Sequence, residues 1–541
     1  MKRTIAGLLL IAMLLCCAAA GAEERNLDPY APYAETVYLS KGTTILLSGQ
    51  LPEGDSYEYN EFTRYLEKTQ NIKVTTAWEV DSANFNQKVS LSIAIREIPD
   101  FMVVDRKVYR QLLENDLLAD LTDVYDKTIS PFLREQFDSY GERLFNEVTV
   151  DGRLMGIPGT SLGHCQNVLW IRKDWLDRVG MDVPKTVEDI ENVARAFIAL
   201  DPNGNGDTIG LTTGPSVYGG YNSWGYFDSV FAALGAYPGV WMEKEGQAVY
   251  GSVLPEVKDA LTLMARWYRE GILDKEFAIR TAGEREALIA SNRLGMYFSV
   301  WWPANGLAAA AELCPEAEWI AVSAPVNAEG KLTYAQNDPI QKVLVVSKEC
   351  EHPEAVIKAL NAGYDVLRCN DGETNPYAEQ ARQSYEYFMA TSPQGWGFMA
   401  TPIEINYEDC IRVQMEDIEN AIRANDPSVM RIKGFEHSYE LVKQNRLSPK
   451  TNFSAYIEEL ARIVGTGAAI SDNVEAVPTC FYDTTRTMST MWSSLQKMEN
   501  QAMLKVIMGD AEPDSYDDFI KKWYNAGGKR ITNEVEAARK K

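Results

Sequence analysis

The stretch from Arg153 to Leu211 constrains this chain most; it reads RLMGIPGTSLGHCQNVLWIRKDWLDRVGMDVPKTVEDIENVARAFIALDPNGNGDTIGL. Two short apolar runs, Leu154 to Ile157 and Val168 to Ile171, flank a Gly-rich, Pro-containing crossing, the pattern of two strands joined through a bendable segment. A hinge is the expectation. Arg172 to Val179 then suits a short helix closed by Gly180, whose missing Cβ tolerates the left-handed conformation that ends helices. Thr186 opens a second helix: its hydroxyl can cap free amides, Asp189 follows three residues on, and Ile190, Val193, Ala194, Phe197 and Ile198 share one face.

Around this stretch, strands alternate with helices. Thr43 to Leu47, Ile72 to Trp78 and Phe101 to Val104 read as strands, with helices over Tyr57 to Thr69 and Phe85 to Ile95. Further strands are expected over Thr208 to Thr212, Leu294 to Val300, Trp319 to Val322 and Val343 to Val346, with a helix from Glu256 to Arg269 stopped by Gly271. Alternation of this kind predicts an α/β protein built on parallel sheets. From His352 onward the spacing becomes helical, as in Ala355 to Leu360, Ser384 to Met389 and Tyr456 to Val464, and no comparably clear strand follows.

Export is read from the first residues. Met1, Lys2 and Arg3 lead into an apolar run from Ile5 to Leu15, and Ala20-Gly21-Ala22 forms a cleavage site, so residues 1–22 are expected to be a secretory signal peptide. The alternative is lipid attachment at Cys16 or Cys17, although Leu15 or Cys16 stands where a lipoprotein signal has a small residue. Cleavage after Ala22 removes Lys2 and Arg3 and leaves 51 basic against 77 acidic residues, a charge of −26. Such a surface repels phosphate backbones and anionic lipids, so nucleic acid is not an expected partner. Six mature cysteines, Cys165, Cys314, Cys350, Cys369, Cys410 and Cys480, are widely spaced without a CxxC pair. Scattered buried thiols and one or two disulfides both fit.

Three motifs bear on chemistry. Loop tryptophans come first: GGYNSWGYFD at Gly219 to Asp228 carries Trp224 and Tyr226, and SVWWPANG at Ser299 to Gly306 carries Trp301 and Trp302. Flat ring faces stack on the C–H faces of sugars while neighbouring polar groups bind the hydroxyls. Trp78, Trp396, Asn337 and Asp338 complete the ligand-binding candidates. Second, DPNGNGD places Asp201, Asn203, Asn205 and Asp207 at alternate positions around Gly206, like the start of an EF-hand calcium loop. Position twelve is Thr212 instead of Glu, and an Asn-Gly turn without metal is the competing reading. Third, Gly159-Thr160-Ser161-Leu162-Gly163 matches the GxSxG nucleophile elbow, with His164 beside it; a strand-like run follows where an elbow needs a helix. With three histidines, His164, His352 and His437, a histidine-based metal centre is not expected.

Gln87 to Val104, Trp170 to Pro184, Asp201 to Leu211, Gly295 to Gly306 and Met498 to Glu534 together resemble the extracellular solute-binding proteins of ABC importers, of the carbohydrate-binding type that includes oligosaccharide-binding lipoproteins and alginate-binding proteins. The resemblance implies a two-lobe, type II periplasmic-binding-protein-like fold with a ligand cleft, a helix-rich C-terminal part and no catalysis. Carried over by position, lobe 1 takes residues 23–158 with 325–346 and lobe 2 takes 159–324 with 347–541. Chain crossings fall near Met155 to Gly163, Val322 to Val326 and Ser347 to Cys350. The resemblance also implies structural calcium at Asp201 to Asp207, though this loop is two residues shorter than the family's DPNGNGKKD form. It matches Trp301 and Trp302 to a ligand-facing element. The expected function is capture of an oligosaccharide, neutral or amphiphilic, and delivery by hinge closure to a membrane permease, by a monomer outside the cell membrane. The alternative is a secreted carbohydrate-active or ester hydrolase using a carboxylate pair or Ser161.

Overall fold

The computed structural model describes residues 25–44, 52–163, 166–220, 224–304, 306–392 and 395–540. The signal peptide with Cys16 and Cys17, the end of the Thr43 to Leu47 run, His164 and Cys165, and part of the Gly219 to Asp228 loop lie outside the described residues. The chain is mixed α/β and divides into two compact units, residues 1–159 with 342–405 and residues 160–341 with 406–541. The first passage between them falls inside the expected Met155 to Gly163 crossing. The other two, after 341 and after 405, differ from the expectation: 325–341 stays with the second unit, and 347–405 belongs to the first. The reason is packing, since Pro353–Leu367 is a helix with the buried surroundings of a core element and contacts the helix Glu61–Gln70.

The first unit is built on a five-stranded sheet in the order Ile72–Val80, Val37–Thr44, Phe101–Val104, Ile340–Val346, Ile157–Thr160. The first three strands run parallel, and Ile340–Val346 pairs antiparallel with Phe101–Val104. The helix Phe85–Ile95 has the expected bounds, whereas the helix expected from Tyr57 begins at Glu61. Asn60 sets that start: its side chain accepts from the Phe62 and Thr63 amides, completing a capping box with Thr63. The helix Pro353–Leu367 is buried from Pro353 to Val366, as a helix without a broad polar face must be.

In the second unit, Met296–Ser299 and Trp319–Val322 flank Val168–Arg172, both antiparallel to it. The expectation of parallel sheets therefore holds for the first unit's three strands and is corrected here, where both partners run opposite to Val168–Arg172. Val168–Arg172 is buried throughout, with Leu169 and Ile171 in one core cluster and Val168 and Trp170 in another, so strand alternation feeds two cores. The first cluster receives Ile190, Val193, Ala194 and Phe197 from the helix Val187–Leu200, whose Thr186–Asp189 capping box forms as expected. Full burial of one such side chain is worth about 2 kcal/mol. Gly295 permits the closest approach there, since a Cβ would meet the Trp175 ring at 2.3 Å; Gly295→Ala would break that packing.

Two strand expectations change. Thr208 to Thr212 forms isolated bridges at Ile209 and Leu211 instead of a strand. Beyond His352, Val474–Val477 is a strand, parallel to Leu332–Ala335. Cys314, Cys350 and Cys480 are free thiols. Among the described residues, no helix is long and apolar enough to cross a membrane.

Candidate functional site

A cavity of about 230 Å³ lies within the second unit, with Gln166, Asn167, Asp228, Tyr237, Thr333 and Asn337 in its lining. Local structure explains the placement. Gln166 and Asn167 immediately precede the wholly buried strand Val168–Arg172, so their amides are drawn inward with it. Each residue is 3% exposed, and neither Gln166 Oε1 nor Asn167 Oδ1 has a hydrogen-bond partner. The other end of Gln166 is anchored, its Nε2 donating to the Ala469 carbonyl. A buried acceptor without a donor costs about 1–3 kcal/mol, which a bound donor recovers.

Asp228 begins the helix Asp228–Ala233 and folds back onto the preceding loop, accepting from the Gly219 amide (3.2 Å) and the Gly220 amide (2.9 Å). Burial pushes its carboxyl above the usual range, and the two amides pull it back. On the far side of that loop, Tyr218 donates to Glu499 (2.6 Å), which also accepts from Tyr250 (2.9 Å) and Ser252 (2.6 Å). Burial raises the Glu499 carboxyl, and the three hydroxyls oppose that. The 218–220 wall is thus pinned by two carboxylates.

Of the residues expected from the sequence, the structure places Asn337 in this cavity. Asp338 instead accepts from the Ile340 amide at 2.9 Å, a turn that opens the next strand. Trp224 and Tyr226 come together through Arg285, whose guanidinium lies 5.1 Å from the Trp224 ring and 5.5 Å from the Tyr226 ring. Trp301 is buried, edge-on to Trp302 at 4.9 Å and covered by the Arg462 guanidinium at 4.9 Å, while Trp302 is half-buried. Trp78 and Trp396 belong to the first unit. The Trp78 ring lies across Gly42, where a Cβ would meet it at 2.3 Å, and packs on Phe85 at 5.6 Å; Trp396 is exposed.

The first unit has its own cavity, about 220 Å³, with Lys41, Phe85, Asn86, Asp105 and Lys342 in its lining. It includes Thr43 and Thr44 at the carboxyl end of the first strand, the edge where open α/β sheets bind ligands. Lys41 is buried, its Nζ has no hydrogen-bond partner, and burial lowers its pKa to about 8.

The loop Asp201–Asp207 is the candidate cation site. Its oxygens are met by protein donors: Asp201 accepts from the Gly206 amide (2.8 Å) and Thr208 hydroxyl (3.0 Å), and Asn203 Oδ1 from Asn292 (2.9 Å). Arg293 donates to the Asp207 carbonyl (3.2 Å) and pairs with its carboxylate (2.8 Å), leaving Asp207 Oδ1 as the buried atom without a donor. A calcium ion needs six to eight oxygens at once. This set does not fit one. Among the described residues no group of three or more His, Cys, Asp or Glu could hold a metal. Ser161 is followed by the strand Val168–Arg172, not a helix, so the elbow that a GxSxG nucleophile requires is not formed.

Sequence reading missed Gln166, Asn167 and Asp228. The signal for the first two was a pair of amides abutting an apolar strand; Asp228 ended the Gly-rich loop that had already been singled out.

Fold and cavity together define a ligand-binding α/β protein. The chain belongs to the bacterial extracellular solute-binding protein family, which its residues 48–364 match. It is 22% identical over 505 residues to the lipoprotein LipO of Bacillus subtilis, covering 91% of this chain and 90% of that one. It is 22% identical over 483 residues to the polygalacturonan/rhamnogalacturonan-binding protein YtcQ of the same organism, covering 87% and 86%. Among solved structures, the fold is similar to a solute-binding protein of Bifidobacterium longum infantis described as binding HMO, with TM-score 0.62, 15% identity and coverage of 93% and 98%. An EF-hand mutant of the ABC-transporter substrate-binding protein FusA of Streptococcus pneumoniae, in complex with fructo-nystose, matches with TM-score 0.60, 15% identity and coverage of 93% and 99%. The alginate-binding protein AlgQ2 without calcium ion matches with TM-score 0.56, 16% identity and coverage of 95% and 100%.

Proposed function

We propose that this chain is the substrate-binding component of an ABC importer, which captures an oligosaccharide outside the cell membrane and passes it uncleaved to a permease. The observation that carries the reading is the pair of buried, unpartnered amide oxygens on Gln166 and Asn167 inside a ligand-sized cavity. Sugar hydroxyls are the donors such oxygens lack. The names of the relatives agree: YtcQ is a polygalacturonan/rhamnogalacturonan-binding protein, and FusA is a fructooligosaccharide ABC transporter substrate-binding protein.

Trp224, Tyr226 and Trp302, all half-buried, serve as stacking faces in this reading, with Trp301 holding Trp302 in place. Asn337 binds a hydroxyl, and Asp338 shapes the turn beside it. Trp78 and Trp396 are the first unit's candidates for further sugar rings. The protein acts as a monomer, exported by residues 1–22 or tethered through Cys16 or Cys17. We read Asp201–Asp207 as a turn held by Arg293, not as a calcium site.

The test is tryptophan fluorescence and melting temperature of residues 23–541 against a panel of plant, algal and host oligosaccharides, with each sugar checked afterwards for cleavage. A saturable shift that leaves the sugar intact is expected. Turnover of the sugar would replace the reading with a hydrolase.

A further inference from the structure

The hydroxyl groups of the described residues that line the second unit's cavity all donate within the protein. Tyr218 donates to Glu499 (2.6 Å), Tyr237 to Thr333 Oγ1 (2.9 Å) and Thr333 to the Ala232 carbonyl (3.3 Å). Ser229 donates to the Asn167 carbonyl (2.7 Å) and Tyr334 to the Gly163 carbonyl (2.8 Å). Three of the wall's backbone amides are engaged too: those of Gly219 and Gly220 donate to Asp228, and that of Gly239 to Ser252 at 2.8 Å. Left to meet a ligand among the described lining residues are the Gln166 amide oxygen, the side-chain amides of Asn167 and Asn337 and the carboxylate of Asp228. No lysine, arginine or histidine is among the described lining residues.

This inventory decides between two kinds of sugar. A ring with hydroxyls alone supplies donors to the open amide oxygens and to Asp228. A uronate brings a carboxylate, which accepts only, into a cavity where, among the described lining residues, the hydroxyl donors are engaged and the one charge is negative. Its desolvation would be met only by the side-chain amide N–H groups of Asn167 and Asn337, and its repulsion by Asp228 would act through a low-dielectric wall.

We infer that the second unit's cavity takes an uncharged sugar ring and turns away uronates, and that Asp228 is the residue that sets this preference. The inference rests on the oligosaccharide reading above and narrows it to a ligand class. Asp228 is suited to the role because the Gly219 and Gly220 amides fix it. An asparagine there keeps an oxygen for those amides and loses the charge.

The experiment measures binding of neutral oligomers (kestose, nystose, cellotriose, galactotriose) and uronate oligomers (trigalacturonate, trimannuronate) to residues 23–541 by calorimetry, for wild type and Asp228→Asn. Wild type is expected to bind at least one neutral oligomer and to bind the uronates at least about tenfold more weakly. Asp228→Asn is expected to narrow that ratio by about tenfold, mainly through the uronates, with an unchanged melting temperature. Uronates bound as tightly as neutral sugars by wild type would overturn the inference, as would an unchanged ratio in a folded Asp228→Asn. Should the variant misfold, the wild-type ratio alone decides the ligand class. Binding of neither class would overturn the oligosaccharide reading beneath it, a different failure from binding of the wrong class.

Discussion

Two polar regions of the second unit, the cavity wall around Asn167 and the turn Asp201–Asp207, are alike in composition and opposite in bonding. Both are rich in Asn, Asp and Gly, although the sequence pointed to the turn and not to Gln166 or Asn167. In the turn, nearly every oxygen has found a protein donor, and Arg293 supplies the positive charge. In the cavity, two amide oxygens are buried and unmet. Hydrogen-bond satisfaction separates them: in the reading proposed above, the largely met region is architecture, and the unmet one takes a ligand.

The largest effect expected from this contrast concerns buried carboxylates, which can be ranked by the donors they receive. In the first unit, Asp365 is buried with the Asn370 amide at 2.6 Å and Tyr65 hydroxyl at 3.5 Å, and burial raises its pKa to about 7. A folded-state pKa above the unfolded value means that the native state binds the extra proton, so this residue's contribution is full below about pH 4 and is lost as pH rises towards 7. Asp365→Asn should remove that slope and stabilise the protein by about 4 kcal/mol at pH 8, against no gain near pH 4. Denaturant melts of both proteins across pH 4–8 check it; parallel stability curves would show that the two donors already satisfy the carboxylate.

Glu499 is the better-met counterpart, with three hydroxyl donors. Glu499→Leu would orphan Tyr218, Tyr250 and Ser252 and is expected to cost about 3 kcal/mol of stability. Because Tyr218 is part of the cavity wall, sugar affinity should fall as well. Chemical denaturation with a parallel binding titration separates the two effects. Asn167→Ala reverses the pattern: it removes an amide oxygen with no protein partner. Sugar affinity should drop about thirtyfold, close to 2 kcal/mol, while stability holds or rises slightly. Equal losses of affinity and stability would mean that the oxygen supports the fold, and the contrast with the turn would fail.

How much of this was legible beforehand follows from the range of the interactions. The helices Phe85–Ile95 and Val187–Leu200 and the strand Phe101–Val104 carry their signals locally, in periodicity, a Thr186–Asp189 box and an unbroken apolar run. The strand Val474–Val477 carries none, because it is short, half-exposed and defined by a partner, Leu332–Ala335, far earlier in the chain. The second and third passages between the units were misplaced for the same reason: which unit claims Pro353–Leu367 is settled by its packing on Glu61–Gln70. In the site, the candidate Asn337 lies in the cavity lining, whereas Gln166 and Asn167 matter through donors they lack, which no spacing displays. The loop tryptophans were recognised as a class. Yet Trp301 proves buried beneath Arg462, so residue type alone did not separate packing from display.

The smallest effect expected is at the turn itself, and it decides whether that turn is architecture. The Arg293–Asp207 pair is partly solvent-exposed, 31% and 34% at the two side chains, so Arg293→Gln should cost only about 1 kcal/mol. Wild-type protein should melt at the same temperature in EDTA and in millimolar calcium, because its loop oxygens already have donors. Arg293→Gln then poses the sharper question, since it frees the Asp207 carbonyl and carboxylate beside the already unmet Oδ1. If the shortened loop cannot assemble six ligands, calcium will not restore the variant's melting temperature. Restoration by calcium would show that Arg293 had displaced an intact cation site. A calcium-dependent rise in the wild type would place the turn, with the cavity, among the regions that wait for a ligand.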